Sequence, residues 1–219
     1  LALGPLLARH DADDLSLPER LRRQVLYAQR YPEVAALGSR VSIFGQSPRR
    51  AGWQRYQEWI NRHCRREAIL RNLFVESPLV HPSVLMRRQA FFEVGGYRDF
   101  DGPEDYDLWL RLVLHGHVLA KLPRLLFLWR DHPQRLTYLD RRMRRQAFTA
   151  TKARYLAQWL TKHAPERPLW IWGAGQCGRW LARNLETHGR FVEAFIDIDP
   201  AKIGKTRRKR PILRDTALR

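Results

Sequence analysis

The amino-acid sequence predicts an α/β protein, and three features of the 219-residue chain lead to this class. First, short segments rich in β-branched and aromatic residues, such as residues 34–44, alternate with segments of helical periodicity. Second, residues 104–115 place large apolar side chains at the spacing of a helix that packs against a core. Third, residues 169–197 follow the order strand, glycine-rich loop, helix, strand. Such alternation is typical of α/β folds.

In chain order, the first predicted element is a strand over residues 5–10, which ends in the acidic segment 11–14. Ser16 and Glu19 have the spacing of a capping box, so a helix should begin at Ser16 and continue to about Arg30. Its buried face should carry Leu21, Val25 and Ala28. The next predicted elements are a strand at 34–44, a loop with some helix at 45–63, a helix at 65–75 and a short strand at 80–86.

The second half of the chain continues this alternation. Gly95 and Gly96 interrupt the chain, and Pro103 suits the first turn of the helix at 104–115. The remaining predicted elements are a strand at 125–129, a long basic helix at 137–163, a strand at 169–172, a helix to about residue 188 and a strand at 191–197.

The net charge is strongly positive but unevenly distributed. The chain carries 40 Lys and Arg against 22 Asp and Glu, a formal charge of +18, of which +13 lies in residues 136–165 and 200–219. The hydrophobic fraction of 44% excludes wholesale disorder. No segment reaches the roughly 18 consecutive apolar residues of a membrane-spanning helix.

The cysteine content and the first residues of the chain indicate the cellular compartment. Two cysteines, Cys64 and Cys177, are too few for a disulfide scaffold and fit a reducing compartment. The chain begins at Leu1 without the basic and apolar segments of a signal peptide. We therefore expect a cytoplasmic protein, with a peripheral position at the inner face of the membrane left open by its positive charge.

An acidic pair follows the first predicted strand. Asp11 and Asp13 are separated by one residue, so both carboxylates can reach one point in a loop. Carboxylate oxygens are the ligands that Mg²⁺ and Mn²⁺ prefer, so the pair is a candidate divalent-metal site. The alternative is that these acids only cap the next helix or face solvent.

Three blocks carry a family resemblance. Residues 9–24 contain the D-x-D motif. A second block comprises HPSVLMRR at 81–88, VGGYR at 94–98 and EDYDLWLRL at 104–112. The third is LPRLLFLWRDH at 122–132. In order and spacing these blocks resemble the second half of the GT-A domain of family 2 glycosyltransferases. The resemblance implies an inverting, metal-dependent transfer of a sugar from a nucleotide-diphosphate donor to a hydroxyl of a glycan or lipid-linked acceptor.

The resemblance also implies residue roles. Asp11 and Asp13 would hold Mg²⁺ or Mn²⁺, and Asp105 would be the catalytic base. Glu104 would contact the acceptor, and His132 would bind the metal or the diphosphate. The alternatives are that Glu104 and Asp105 only complement the dipole of their helix and that His132 is structural.

The resemblance further implies incomplete domains. Only ten residues precede Asp11, whereas the strands that bind the nucleotide normally lie before the D-x-D motif. We expect a partial, Rossmann-like GT-A domain at 1–135, a basic helical linker at 136–165 and a truncated Rossmann-like β-α-β module at 166–219. We therefore expect the 219-residue chain by itself not to turn over a sugar nucleotide efficiently.

The glycine-rich loop near the C-terminus has the pattern of a dinucleotide-binding motif. Gly173, Gly175 and Gly178 follow a predicted strand and open a helix, and Asp197 lies at the end of the next strand. These four residues are candidate cofactor-binding residues. The segment also resembles an accessory Rossmann-like domain of some bacterial glycosyltransferases. Because one β-α-β unit is half of a dinucleotide fold, we do not expect it to bind NAD(P).

Two other functions are weighed against the transferase. The basic run at 205–210 and the high isoelectric point suggest a nucleic-acid-binding protein, but no reader motif accompanies them, so no specific nucleic acid is expected. An NAD(P)-dependent oxidoreductase is the second alternative, through the GxGxxG loop. The expected partners are a nucleotide-sugar donor, a glycan or lipid-linked acceptor and, as an open alternative, the membrane surface.

Overall fold

A computed structural model describes residues 3–45 and 50–218, and helices and strands alternate through both ranges, as predicted. The strands are β1 (Leu6–Ala8), β2 (Leu15–Ser16), β3 (Val34–Gly45), β4 (Leu85–Arg87), β5 (Val118–Asp131), β6 (Trp170–Trp172), β7 (Ala194–Ile196), β8 (Thr206–Arg207) and β9 (Arg210–Leu213). The helices are α1 (Arg20–Arg30), α2 (Arg50–Arg62), α3 (Arg66–Asn72), α4 (Arg88–Glu93), α5 (Glu104–Leu114), α6 (Leu136–Leu139), α7 (Arg145–His163) and α8 (Gln176–Glu186). Among these described residues, no helix combines the length and apolar character needed to cross a membrane.

The chain divides into two units. The first comprises Leu1–Phe100 and Glu104–Asp140, and the second comprises Asp101–Pro103 and Arg141–Arg219. The residues predicted as a helical linker therefore include α7, which contributes Ala153 and Ala157 to the buried core of the second unit.

The first unit is built on a mixed sheet with the strand order β1-β4-β3-β5-β2. β3 and β5 pair in parallel, whereas β4 is antiparallel to both β1 and β3. β1, β3 and β5 therefore run in the same direction, so their carboxyl ends lie at one edge of the sheet. The D-x-D loop follows β1 and His132 follows β5, so the topology places both at this edge.

Helix α5 of the first unit is buried along most of its length. Its buried residues include Tyr106, Leu108, Trp109, Leu110 and Leu112, each at most 1% exposed. The Tyr106 hydroxyl donates to the carbonyl oxygen of Leu73 (2.6 Å). The predicted core-packed helix is confirmed, and its rigid packing fixes the first turn, which carries Glu104 and Asp105.

The predicted start of the first helix is wrong. Ser16 lies in β2 opposite Phe127 rather than capping a helix, and α1 begins at Arg20 after Glu19, whose side chain makes no capping hydrogen bond. The buried residues of α1 are Arg20, Gln24 and Ala28, whereas Leu21 is 50% exposed. Pairing of residues 15–16 with β5 satisfies their backbone groups in the sheet, and this tertiary contact outweighs the local capping signal.

Other boundaries also differ from the predicted ones. Residues 50–62 form the regular helix α2 where a loop with some helix is predicted; residues 46–49 of that segment lie outside the described residues. β5 begins at Val118 rather than residue 125, because its long parallel pairing with β3 extends it. The predicted basic helix at 137–163 is divided into α6, a 3-10 turn at Arg141–Met143 and α7.

The second unit contains a sheet with the order β6-β7-β9-β8. β6, β7 and β9 are parallel, and α8 connects β6 to β7, as the predicted β-α-β arrangement requires. The buried core includes Ile171, Ala182, Leu185, Phe195 and Ile212. This unit thus has a core of its own.

Candidate functional site

Two residues separate the D-x-D motif from the end of β1, and its two acids have different partners. The Asp11 carboxylate forms an ion pair with Arg9 (2.5 Å). Asp13 Oδ2 lies 3.0 Å from His132 Nε2, on the residue that follows β5. Both carboxylates remain accessible, with side-chain exposures of 38% for Asp11 and 44% for Asp13. The structure thus brings Asp13 and His132 together, while Asp11 turns to Arg9.

The end of β5 attaches this loop to the sheet. The backbone N–H of Arg130 donates to Asp14 Oδ1, and its Nε donates to the carbonyl oxygen of Asp13, each at 2.7 Å. Arg130 therefore holds the loop at Asp13 and Asp14, two residues before His132 in the chain.

Asp14 is a buried acid that the D-x-D spacing does not single out. It is 4% exposed, and its Oδ2 has no hydrogen-bond partner among the described residues. Burial raises its pKa to about 6, and the negative charges of Asp13 and Asp11 add to this effect. The sequence signal for Asp14 is its place as the fourth residue of the run DADD, next to the second ligand candidate.

A buried network supports His132 from the neighbouring position. Asp131 is fully buried and accepts hydrogen bonds from the Tyr138 hydroxyl at both carboxylate oxygens (2.9 Å). Arg135 pairs with the same carboxylate (3.4 Å) and lies over the Trp129 ring, 4.1 Å from its centroid. These contacts hold the chain on either side of His132, whose ring contacts Asp13.

The chemistry of this pair fits a divalent cation. Asp13 Oδ2 and His132 Nε2 lie within hydrogen-bond distance of each other (3.0 Å), and carboxylate and imidazole are both ligand types of divalent metals. Within residues 3–45 and 50–218, no group of three or more His, Cys, Asp or Glu side chains is arranged to hold a metal. A Mg²⁺-type ion bound by one or two carboxylates usually completes its shell with phosphates and water.

The second acidic pair lies in the first turn of α5. Asp105 is partly buried and is the acceptor of a long hydrogen bond from Ser77 Oγ (3.4 Å). Burial raises its pKa to about 7, and the negative charge of Glu104 is the next cause, with a smaller contribution from Glu76. Glu104 Oε2 is buried and has no hydrogen-bond partner within the described chain. A carboxylate with a raised pKa and an unpaired oxygen beside it are features of functional sites.

Tyr97 and His81 form a contact that motif spacing alone does not predict. Their side chains share a hydrogen bond between the Tyr97 hydroxyl and His81 Nε2 (2.6 Å). Burial, assisted by the positive charge of Arg9, lowers the pKa of His81 to about 3, so its ring is neutral. Tyr97 is 40% exposed, and its pKa is raised by burial and by the charges of Asp105, Glu104 and Asp11.

Arg111 holds the turn that presents Tyr97. Its guanidinium forms a buried ion pair with Asp107 (2.7 Å) and donates to the carbonyl oxygens of Val94 and Gly96. Gly96 has a positive φ of 60°, a conformation that glycine adopts without strain. The turn that carries Tyr97 is thereby anchored to α5, the helix that carries Glu104 and Asp105.

The glycine loop of the second unit differs from these sites. Asp197 Oδ2 accepts from the backbone N–H of Ala174 (2.9 Å), Oδ1 accepts from that of Asp199 (3.0 Å), and Lys202 pairs with the carboxylate (3.3 Å). The backbone hydrogen bonds lower the pKa of Asp197. A Cβ at Gly178 would overlap the carbonyl oxygen of Gly173, so Gly178 permits close packing between helix and loop. The candidate ribose acid is therefore already engaged within its own unit.

Comparison with known proteins defines the class. A profile of the family described as "Glycosyltransferase like family 2" matches residues 3–149, which is more than half of the chain. The chain therefore belongs to this family, as the sequence motifs predict.

Individual relatives are consistent with this assignment. The amylovoran biosynthesis glycosyltransferase AmsE of Erwinia amylovora is 33% identical over 123 residues, which cover 55% of this chain and 43% of the relative. An uncharacterized glycosyltransferase of Haemophilus influenzae is 30% identical over 118 residues, covering 54% of this chain and 42% of the relative. The matched part of the chain thus corresponds to less than half the length of these relatives.

A solved structure supports the fold. The crystal structure of S. aureus TarS 1-349 in complex with UDP-GlcNAc superimposes with a TM-score of 0.51 and 13% identity, covering 88% of this chain and 51% of that chain. This likeness concerns the fold alone, and it confirms the predicted α/β class.

Proposed function

We propose that the protein transfers a sugar from a nucleotide-diphosphate donor to an acceptor hydroxyl, with inversion and with the help of a divalent metal. The observation that carries the proposal is that the first unit holds two unlike acidic sites and that the charges of both, through Asp11 and Asp105, act on the Tyr97 hydroxyl. One is the Asp13–His132 contact (3.0 Å), and the other is Asp105, whose pKa is about 7. The D-x-D side suits a diphosphate and its metal, and the Asp105 side suits a hydroxyl nucleophile.

Asp13 and His132 are the proposed metal ligands, with Mg²⁺ or Mn²⁺ as the ion. Asp11 is a further proposed ligand, although its carboxylate pairs with Arg9, so its use would require this ion pair to open. When bound, the metal would offset the negative charge that develops on the departing nucleoside diphosphate. Arg9 is a cation at the same loop and suits one of the diphosphate oxygens.

Asp105 is the proposed base. It would accept the proton of the acceptor hydroxyl while that oxygen bonds to the anomeric carbon and the bond from this carbon to the diphosphate oxygen breaks. A single displacement of this kind inverts the anomeric centre. A carboxylate of pKa about 7 is a stronger base than an ordinary Asp, and part of the population is still ionised at neutral pH. The Glu104 carboxylate and the Tyr97 hydroxyl are the proposed contacts for acceptor hydroxyls.

The proposed partners are a nucleotide-sugar donor and a glycan or lipid-linked acceptor. The positive charge of residues 136–165 and 200–219 suits the anionic surface of a membrane in which a lipid-linked acceptor would lie. We propose that residues 1–135 belong to the transferase domain and 166–219 to a Rossmann-like accessory module. No ligand is assigned to that module, because Asp197 is engaged by Ala174, Asp199 and Lys202.

The test is a transfer assay on the longest open reading frame that contains this chain. Release of nucleoside diphosphate from a panel of nucleotide sugars is measured with Mn²⁺ and with EDTA, and the anomeric configuration of the product is read by NMR. We expect metal-dependent release and an inverted product. Retention of configuration would contradict the single displacement, and undiminished release in EDTA would contradict the metal. Tight, sequence-independent binding of duplex DNA, or binding of NAD(H), without any transfer would favour the two alternatives.

A further inference from the structure

Arg20 is a buried cation within the first motif block, and neither the resemblance nor the proposed chemistry gives it a role. Arg20 is 1% exposed and is one of the largest fully buried side chains among the described residues. Among the described residues it forms no ion pair with a carboxylate within 4 Å. Burying an unpaired charge is costly, so the side chain is retained only where several hydrogen bonds offset that cost.

The guanidinium of Arg20 contacts both ends of the D-x-D loop. Nη2 donates to the carbonyl oxygen of Arg9 (2.7 Å), which precedes Asp11. Nη1 donates to Ser16 Oγ (2.8 Å), which follows Asp14 in the chain, and lies 3.4 Å from His10 Nδ1. The planar group also lies over the Phe127 ring of β5, 4.8 Å from its centroid. One side chain therefore joins the entry and exit of the loop to the strand that leads to His132.

A second side chain extends this connection to the acceptor side. Arg20 Nε donates to Gln24 Oε1 (3.2 Å), and Gln24 Nε2 donates to the carbonyl oxygens of Leu37 and Ser83 (each 2.9 Å). Ser83 belongs to the same 3-10 turn as His81, the partner of Tyr97. The chain of hydrogen bonds thus begins at the D-x-D loop and ends at the turn that supports Tyr97.

We propose that Arg20 is a positioning residue for the metal-binding loop, and that it acts by fixing Arg9 and Ser16 so that Asp13 faces His132. This inference rests on the proposed function, in which Asp13 and His132 hold the metal. The geometry demands the forked guanidinium: Lys at this position would keep the charge but could not donate from three nitrogens in one plane. Partners that orient metal ligands typically change metal affinity 10–100-fold when they are mutated.

The experiment compares Arg20→Lys with wild type in the 219-residue chain. Mn²⁺ alone is titrated and followed by electron paramagnetic resonance, and amide hydrogen exchange is measured across residues 9–16. We expect the Kd for Mn²⁺ to rise at least about tenfold and exchange in this segment to accelerate. The matched control is Arg22→Lys, on the same helix, whose side chain is 71% exposed and pairs with Glu19; it should change neither quantity.

Two readouts separate this inference from the proposed function. If wild type does not bind Mn²⁺, the proposed metal site fails, and hydrogen exchange still decides whether Arg20 orders the loop. If wild type binds Mn²⁺ and Arg20→Lys binds it equally well, the positioning role is overturned, whatever happens to exchange. Should Arg20→Lys not fold, Ser16→Ala removes the Nη1 contact from an exposed side chain and should weaken Mn²⁺ binding; unchanged affinity there would also overturn the inference.

Discussion

Asp105 in the first unit and Asp197 in the second show how the same side chain acquires opposite properties in two environments. Asp105 is partly buried with one long side-chain hydrogen bond from Ser77, and burial raises its pKa to about 7. Asp197 accepts from two backbone N–H groups and pairs with Lys202, and these donors lower its pKa. Desolvation outweighs the hydrogen bonds from Ser77 and the Tyr106 N–H at Asp105, whereas hydrogen bonds outweigh desolvation at Asp197, so the two pKa values move in opposite directions.

The loops that carry the acids differ in the same sense. In the first unit, Asp13 contacts His132, a residue more than a hundred positions later in the chain, and the Asp13 side chain stays 44% exposed. In the second unit, Asp197 turns inward to the glycine loop and to residues that follow it closely in the chain. An accessible carboxylate beside His132, as at Asp13, suits the binding of a metal or substrate. A carboxylate whose oxygens are all engaged, as at Asp197, suits the stabilisation of a loop.

The largest expected effect is that of Asp13→Ala on the first unit. Loss of this carboxylate removes half of the Asp13–His132 pair, so metal-dependent donor binding should disappear and transfer should fall by about 10³ or more. The measurement is Mn²⁺-dependent release of nucleoside diphosphate. Asp197→Ala is the matched control, since it should leave transfer unchanged. Equal losses of transfer activity in Asp13→Ala and Asp197→Ala would contradict the expectation that only Asp13 acts in transfer.

Asp105→Asn should have the next largest effect. The amide cannot accept the hydroxyl proton, so the transfer rate should fall by about 10²–10⁴ while donor binding persists. Asp101→Asn is the control, because that side chain is 77% exposed and pairs with Arg141. The readouts are the transfer rate and donor affinity by calorimetry. Transfer that survives in Asp105→Asn would show that the base lies elsewhere.

The pH dependence of transfer sharpens the same comparison. Because the ionised form of Asp105 is required and its pKa is about 7, the rate should rise with pH, about tenfold per unit below 7, and level off above it. Glu104→Gln removes the neighbouring negative charge, so this limb should move to lower pH. Ser77 and Glu76 also act on Asp105, and the Glu104→Gln variant retains both. A limb that does not move in Glu104→Gln would exclude Asp105 as its source.

The smallest effect should appear in the stability of the second unit. Asp197→Ala leaves the Ala174 N–H without its acceptor, which should cost about 1–3 kcal/mol in the free energy of unfolding, measured with urea. Since the pKa of Asp197 is lowered in the folded state, this stabilisation is present above its unfolded pKa and is lost as the pH falls through the folded value. Glu193→Ala, at an exposed position, should leave stability nearly unchanged. An Asp197→Ala variant with the same free energy of unfolding as wild type would contradict the structural role of Asp197.

Much of the fold could be predicted because its signals are local. The helix at α5, the strand–loop–helix order of the second unit and the class of the whole chain follow from periodicity and glycine spacing. The start of α1 could not be predicted, because the pairing of Ser16 with β5 competes with the capping box and prevails. The length of β5 likewise depends on its parallel pairing with β3, which no local pattern encodes.

The sequence by itself determined the residue types of the candidate site: the D-x-D carboxylates, the Glu104–Asp105 pair and the family to which they belong. The tertiary structure decided which of them meet. Parallel β1 and β5 bring Asp13 to His132, and burial at the start of α5 raises the pKa of Asp105. Only the folded chain reveals Arg20 as the buried link beneath the loop. The physical reason is that both desolvation and hydrogen bonding between distant residues depend on sheet order and packing, which sequence spacing does not specify.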